Sequence, residues 1–450
     1  MISATLPVRE ILPARCESAT NRGGNGVVSI QMRSELLNGM RMLDLTDEKG
    51  ALCGKMFADM GAEVIKIEPP QGCPSRKIPP FLDDQPGLDN SLHFLAFQAG
   101  KRSVTLNLES ADGRELLQEL VKRSDFIVEA FPIGYLESIG LGYETLAELN
   151  PRIVHTSITP FGDKGPAKDY KAADIVSWAS GGAMFMMGEE GKPPLQMSVP
   201  QAWLHAGAEA AVSSMIAHYA RQLDGLGQHI VVNAQACGVW TLMNEQAMPL
   251  LHGDYLRRSG VFSGAIGGRR KTVYQCMDGH VSFIIAGGPY FNSTKAVIAW
   301  MNEENAAPEW LKGEGGLKTL TPSGFMAATA ADLKELDDTE EAVQRFFLTK
   351  TKKELWENIL KRRLFGAPLA NAADIAADPQ LKAREYFVTV DHAGLGRQFT
   401  LPGAFAKMSE TPVGPQGAAP QLGEHDHEVY GGLLGLSNTE IIALRAAGVI

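Results

Sequence analysis

Between Arg41 and Glu129 the chain twice repeats one pattern: a short apolar run, an amphipathic stretch, and a second apolar run. The first copy is Met42 to Leu45, a helix through Phe57 and Met60, then Val64-Ile65-Lys66-Ile67-Glu68. The second is Ser103-Val104-Thr105-Leu106-Asn107-Leu108, a helix from Gly113 to Arg123, then Phe126-Ile127-Val128-Glu129. Parallel strands need a long crossover between them, and a helix supplies it, so repeated units of this kind predict an α/β fold with a parallel, doubly wound sheet. Residues 153–158 continue the pattern as another strand, with the loop Pro160-Phe161-Gly162-Asp163-Lys164-Gly165-Pro166 at its end. In such sheets ligands collect beyond the carboxyl ends of the strands.

A long helix is expected from about Trp203 to Gln222, because Ala206, Ala210, Ala211, Ser214, Met215 and His218 recur at helical spacing. Its small residues suit close packing against another helix or a sheet. After about Leu250 the texture changes to a glycine-rich loop, short strands such as residues 281–285, and charged helices to Arg363. The expected division is a flexible tail over 1–35, a large Rossmann-like domain from 36–255 and 365–450, and a smaller α+β domain over 256–364. The last helix should cover Thr439 to Ala447, capped by Ser437 or Asn438.

With 450 residues, 44% of them hydrophobic, the chain can bury a sizeable core. Its formal charge of -10 and scattered basic residues argue against nucleic acid and anionic membrane as partners. No run approaches the roughly 20 apolar residues of a membrane span. The five cysteines form no CxxC pair, which points to a reducing, cytoplasmic setting without a cysteine metal site. The first 30 residues lack the apolar core of a secretory signal.

An ordered set of motifs runs through this framework: Leu43-Asp44-Leu45-Thr46; residues 58–68, with Ala58-Asp59-Met60-Gly61-Ala62-Glu63 leading into the strand; Lys101-Arg102-Ser103; Leu149-Asn150-Pro151-Arg152; Gly165-Pro166 followed by Asp174; and Gly227-Gln228. Gly366-Ala367-Pro368, Ala419-Pro420 and Leu422-Gly423-Glu424-His425 close it. Together they resemble the family III CoA-transferases, the CaiB/BaiF group. The resemblance implies a Rossmann-like large domain built from both chain ends, a smaller domain between, and an interlocked dimer. It also implies coenzyme A or an acyl-CoA as substrate, with no tightly bound cofactor and no metal. In that chemistry an aspartate attacks the donor acyl-CoA to give a mixed anhydride, and coenzyme A attacks the aspartyl carbonyl to give an enzyme thioester. The acceptor carboxylate then completes the exchange. The route needs a nucleophilic carboxylate, donors for the oxyanion and exclusion of water.

The aspartate of the family lies four residues before a glycine and eighteen before the arginine that precedes a Gly-x-Gly-Gln turn. Counting back from Gly207 and from Arg221 lands both times on Trp203. An indole has no nucleophilic carboxylate. Either Trp203 fills the nucleophile position and the chain is non-catalytic, or a local insertion brings another residue there. Asp174 is the remaining acid: it is a substitute nucleophile, or a helix N-terminal residue favoured by backbone N–H groups. Alpha-methylacyl-CoA racemases of this fold place a histidine where Ala173 stands, so racemisation loses both of its partners here.

By family position, coenzyme A would be held by Lys49, Leu106, Phe131, Ile139 and Lys171, with Gly267 and Gly268 in a glycine-rich loop over the thioester. Each also has a plain structural reading: Leu106, Phe131 and Ile139 as core, Lys49 and Lys171 as solvated surface, and the glycines as an interdomain turn. Pro69 and Ser138 stand where some members have arginine, and the loop Asp47-Glu48-Lys49-Gly50 is one residue short. Both departures point to weakened coenzyme A binding. Glu68 at a strand end invites a dinucleotide reading, but Gly50 and Gly54 do not make the GxGxxG fingerprint. The expectation is a non-catalytic subunit partnered by a homologous catalytic CoA-transferase chain. The rival readings are a self-sufficient transferase using Asp174 and an acyl-CoA-binding protein without turnover.

Overall fold

The computed structural model describes residues 36–243, 249–251, 253, 255, 257–263, 270–312, 320–321 and 329–450. The expected tail over 1–35 and the loop glycines Gly267 and Gly268 lie outside the described residues.

Six parallel strands form the central sheet: β1 (Arg41–Leu45), β2 (Glu63–Glu68), β3 (Arg102–Thr105), β4 (Phe126–Glu129), β5 (Val154–Thr159) and β6 (His229–Asn233). Their spatial order is β3-β2-β1-β4-β5-β6, the doubly wound order whose direction reverses between β1 and β4. The fold is mixed α/β with a parallel central sheet, as the repeated units predict. Strands β1 to β5 are buried almost throughout, and they bury polar side chains such as Asp44, Lys66, Glu68 and His155 beside the apolar ones.

One face is covered by helices α1 (Ala51–Asp59) and α7 (Ala202–Asp224), whose Phe57, Ala206 and Ala210 share a core with Met42, Val64 and Phe126. The small residues expected on α7 let it lie close to the sheet: Ser214 meets Thr156 of β5 at 2.8 Å. Gly225, in the left-handed conformation at φ 81°, ends α7 and returns its N–H to the Arg221 carbonyl. The other face packs against α3 (Ala111–Val121), α5 (Tyr143–Leu149) and residues near the carboxyl end, around Leu43, Ile65, Ile127 and Ile441. Between these helices in chain order fall α2 (Leu92–Phe97), α4 (Tyr135–Ser138) and α6 (Asp174–Ser180).

A further core gathers Tyr274, Phe283, Trp300 and Phe347 around an antiparallel sheet of residues 273–276, 279–283 and 366–368. Tyr274, Phe283 and Phe347 meet edge to face with ring centres 5.6 to 6.4 Å apart.

The chain then comes back to the edge strand β3. The Thr105 N–H donates to Asp426 Oδ1 at 2.9 Å, the Asn107 N–H to the Val449 carbonyl at 2.7 Å, and the Tyr430 hydroxyl to the Thr105 carbonyl at 2.7 Å. These bonds cover an edge that would otherwise offer free backbone groups. They tie the carboxyl-terminal residues 426–449 to the sheet that the amino-terminal half builds. The last helix, Asn438–Ala446, starts with a capping box between Ser437 and Glu440, which settles the cap on Ser437.

Candidate active site

The residues that the family resemblance assigns to coenzyme A lie in loops, at strand ends and at helix ends. Lys49 lies in the loop after β1, Leu106 just past β3, Phe131 just past β4, Ile139 at the end of α4, and Lys171 in the segment leading to α6. Leu106 is buried, and Phe131 and Ile139 pack against the same apolar cluster. The Phe131 ring lies 4.7 Å from that of Tyr135. Three of the five residues carried over from the family therefore belong to the apolar cluster on this face of the sheet, Leu106 at its β3 edge and Phe131 and Ile139 beyond β4. The Lys49 ammonium pairs with Asp47, and Lys171 is exposed.

Trp203 is the second residue of α7, only 4% exposed, in the core shared by Cys53, Phe57 and Ala206. Asp174, the first residue of α6, reaches across to the start of α7. Its Oδ2 accepts the Gln201 N–H and its Oδ1 the Trp203 N–H, both at 3.0 Å. The acid satisfies orphan donors of a neighbouring helix, which complements the positive end of the α7 dipole. This differs in detail from a carboxylate serving its own helix. Beside it Trp178 stacks on His205 with ring centres 5.3 Å apart, and its Nε1 has no hydrogen-bond partner among the described residues.

Beneath α1 lies a buried charge cluster that sequence reasoning left without a role. Asp44 on β1 accepts from Lys101 Nζ at 2.7 Å and from the Thr46 hydroxyl at 2.6 Å, with Lys66 Nζ at 3.7 Å. Burial alone would raise the Asp44 carboxyl, but Lys101 and Lys66 outweigh it and hold the pKa down at about 2. Gly54 makes room for the pair, since a Cβ there would fall 2.4 Å from Asp44 Oδ2. Asp44 and Lys101 thus explain two of the motifs as structural.

Glu68 is closed to a ribose. Its carboxylate holds Arg76 through two bonds of 2.7 and 2.8 Å and accepts the Ser103 hydroxyl at 2.9 Å, all in the buried interior. With its acid occupied and the glycine fingerprint missing, the dinucleotide reading has no geometric support.

Sequence reasoning also passed over Glu129, the last residue of β4, although an acid ending an apolar strand at such a position is a readable signal. It is 6% exposed, and burial pushes its carboxyl up to about 7 despite hydrogen bonds from Ser157 and the Phe131 N–H. The Phe131 N–H donates to Glu129 Oε2 at 2.6 Å.

Comparison with known proteins bears directly on this arrangement. The pattern of CoA-transferase family III matches residues 37–426. The chain is 32% identical over 391 residues to the succinyl-CoA:(R)-benzylsuccinate CoA-transferase subunit BbsE of Thauera aromatica, covering 86% of this chain and 92% of that one. It is 33% identical to the formyl-CoA:oxalate CoA-transferase of Streptomyces avermitilis, over 93% of this chain and all of the relative (100%). Among solved structures, a CaiB/BaiF family protein from Brucella suis superposes with a TM-score of 0.73 at 25% identity, covering 89% of this chain and 100% of that one. The chain therefore belongs to the family III CoA-transferases.

Proposed function

We propose that this chain is a non-catalytic subunit of a heteromeric family III CoA-transferase, of the succinyl-CoA:(R)-benzylsuccinate kind, partnered by a homologous chain that carries the aspartate. One observation carries the reading: a buried indole begins α7, and the neighbouring acid, Asp174, is engaged by the N–H groups of Gln201 and Trp203. Covalent acyl exchange needs a carboxylate free to attack a thioester carbonyl. Trp203 has none, and to attack, Asp174 would have to leave two backbone donors unpaired, a loss of about 1–3 kcal/mol for each buried one.

The outer side of α7 supports the partner. Val212, Ile216, Tyr219 and Leu223 are spaced four, three and four residues apart, the rhythm of a helix seam, and Tyr219 and Leu223 are 72% and 79% exposed. Apolar side chains in that register suit another helix better than water. In the same reading Leu106, Phe131 and Ile139 keep an apolar slot for the adenine of coenzyme A, and Lys49 and Lys171 serve its phosphates.

The test is reconstitution. The chain is purified alone and together with a homologous subunit bearing aspartate at the Trp203 position, and each preparation is assayed for CoA transfer from succinyl-CoA to a carboxylic acid. Covalent adducts are trapped with hydroxylamine and mapped by mass spectrometry. The reading expects turnover only in the mixture and adducts only on the partner. Turnover by the isolated chain, or an adduct on Asp174, overturns it. Tight coenzyme A binding with no turnover in either preparation would make the chain an acyl-CoA-binding protein instead.

A further inference from the structure

A line of hydrogen bonds runs from solvent to the strand ends where the sheet reverses direction. Exposed His229, at the start of β6, meets the Ser157 hydroxyl through Nε2 at 2.9 Å. Ser157, buried on β5, lies directly opposite Glu129 in the β4–β5 register and hydrogen-bonds its carboxyl. Glu129 then holds the Phe131 N–H at 2.6 Å. Buried acids in such a place pair with a cation or a metal in most folds. Glu129 instead faces a hydroxyl and a backbone amide.

We propose that Glu129 is a positioning residue for the coenzyme A slot: its carboxylate, connected to solvent by Ser157 and His229, fixes the backbone that presents Phe131, and its protonation slackens that hold. The inference rests on the assignment of Phe131 to that slot made above.

The proton balance is complete within the three residues. With Glu129 ionised, Ser157 donates to the carboxylate and accepts Nε2–H from His229. A proton arriving at Nδ1 of His229 releases the Nε2 proton to Ser157, and the hydroxyl proton passes to Glu129. His229 ends as the other neutral tautomer, and Ser157 now donates to it. The Phe131 N–H then bonds a neutral carboxyl rather than an anion, and hydrogen bonds to ionised groups are about twice as strong as neutral ones. The titratable groups around the relay are Glu137 on α4, Tyr143 and Glu144 on α5, His155 on β5, Asp163 in the loop after β5, and His229 itself. Glu137 adds negative charge and favours the protonated acid; burial lowers the pKa of both histidines, against the pull of Glu137, Asp163 and Glu144 on His229. On β1 the neighbour in register is Leu45, which brings no charge.

The experiment measures coenzyme A affinity of the full chain by calorimetry from about pH 5.5 to about pH 8.5, for the parent, Glu129→Gln and Ser157→Ala, with hydrogen exchange at the Phe131 amide alongside, corrected for intrinsic rates. The parent should bind about threefold more weakly at the acidic end, with matching loss of Phe131 protection, as a charge-assisted bond becomes a neutral one. Glu129→Gln should give the weaker value at every pH, and Ser157→Ala, which strips a donor from the carboxylate, should move the midpoint to higher pH. A Glu129→Gln variant that keeps the parent's pH dependence in both measurements overturns the inference. A parent that binds no coenzyme A at any pH overturns the assignment of Phe131 to the slot, and the Phe131 exchange profile then decides the positioning role alone.

Discussion

Asp174 and Trp203 are joined through the backbone: Oδ1 of the acid accepts the Trp203 N–H at 3.0 Å while Oδ2 accepts that of Gln201. An acid that a family comparison offers as a spare nucleophile is here the cap of the helix on which the indole sits.

Asp174→Ala should therefore lower stability by about 1–2 kcal/mol, the usual range for losing such a cap. Asp174→Asn, which keeps one acceptor, should cost less. Transfer by the reconstituted heteromer should stay within about twofold of the parent, since a residue that only caps contributes nothing to the barrier. Thermal unfolding and the assay of the mixture check both halves, and a collapse of rate with intact stability would return Asp174 to the chemistry.

Trp203→Ala should cost about 3–5 kcal/mol, because the indole is embedded between α7 and α1 and truncation leaves a cavity. Denaturant titration measures it. Trp203→Phe should recover much of the loss, as packing predicts.

Asp44 dictates a different response to acid. Its pKa of about 2 lies below the ordinary 3.8, so the folded state releases this proton more readily than the unfolded chain. The stabilisation is fully present above about pH 4 and is lost as pH falls toward 2. Asp44→Asn should remove it at all pH and destabilise by about 3–5 kcal/mol, since Lys101 and Lys66 would be left buried without their anion. Adding Lys101→Met to Asp44→Asn should restore part of the stability.

For Glu129 the sign is opposite. With its pKa raised from 4.5 to about 7, the folded state keeps a proton that the unfolded chain gives up, so stability falls as pH rises through that window. Glu129→Gln should raise the melting temperature at about pH 8, by up to about 3 kcal/mol of stability, and make little difference below about pH 4.5. Melting curves of the two proteins across that range decide it.

Ile216→Asp combined with Leu223→Asp should leave the melting temperature of the isolated chain nearly unchanged, because exposed substitutions seldom exceed about 0.5 kcal/mol. The same pair should prevent co-purification with the homologous subunit. Retained co-purification would place the partner elsewhere.

Strands β1 to β5 and helix α7 were readable from local pattern, because each is a short apolar run or a small-residue stripe whose period reports its face, whereas β6 went unread. The order of the strands was not. Nothing local says that the chain crosses from β3 past β2 and β1 to lay down β4. The strand read as residues 103–108 ends at Thr105, because the Asn107 N–H leaves the ladder for the Val449 carbonyl, a partner 342 positions away. The site divides along the same line. The family position of Trp203 came from counting, and Leu106, Phe131 and Ile139 joined the apolar face of the sheet, as apolar residues do. The destinations of Asp44, Glu68, Asp174 and Glu129 depended on partners distant in sequence, and a carboxylate's role is set by whichever donors the fold delivers to it.

The clasp between β3 and residues 426–449 bears on how the protein is made in a cell. Five of the six strands are made before synthesis reaches the midpoint, yet the outer strand β3 gains its permanent cover only after those late residues clear the ribosome. Until then an unclaimed edge is open to mispairing and to chaperones. A fusion tag or a stalled ribosome at that stage would act on a half-closed sheet, and expression trials should favour tags at the amino end.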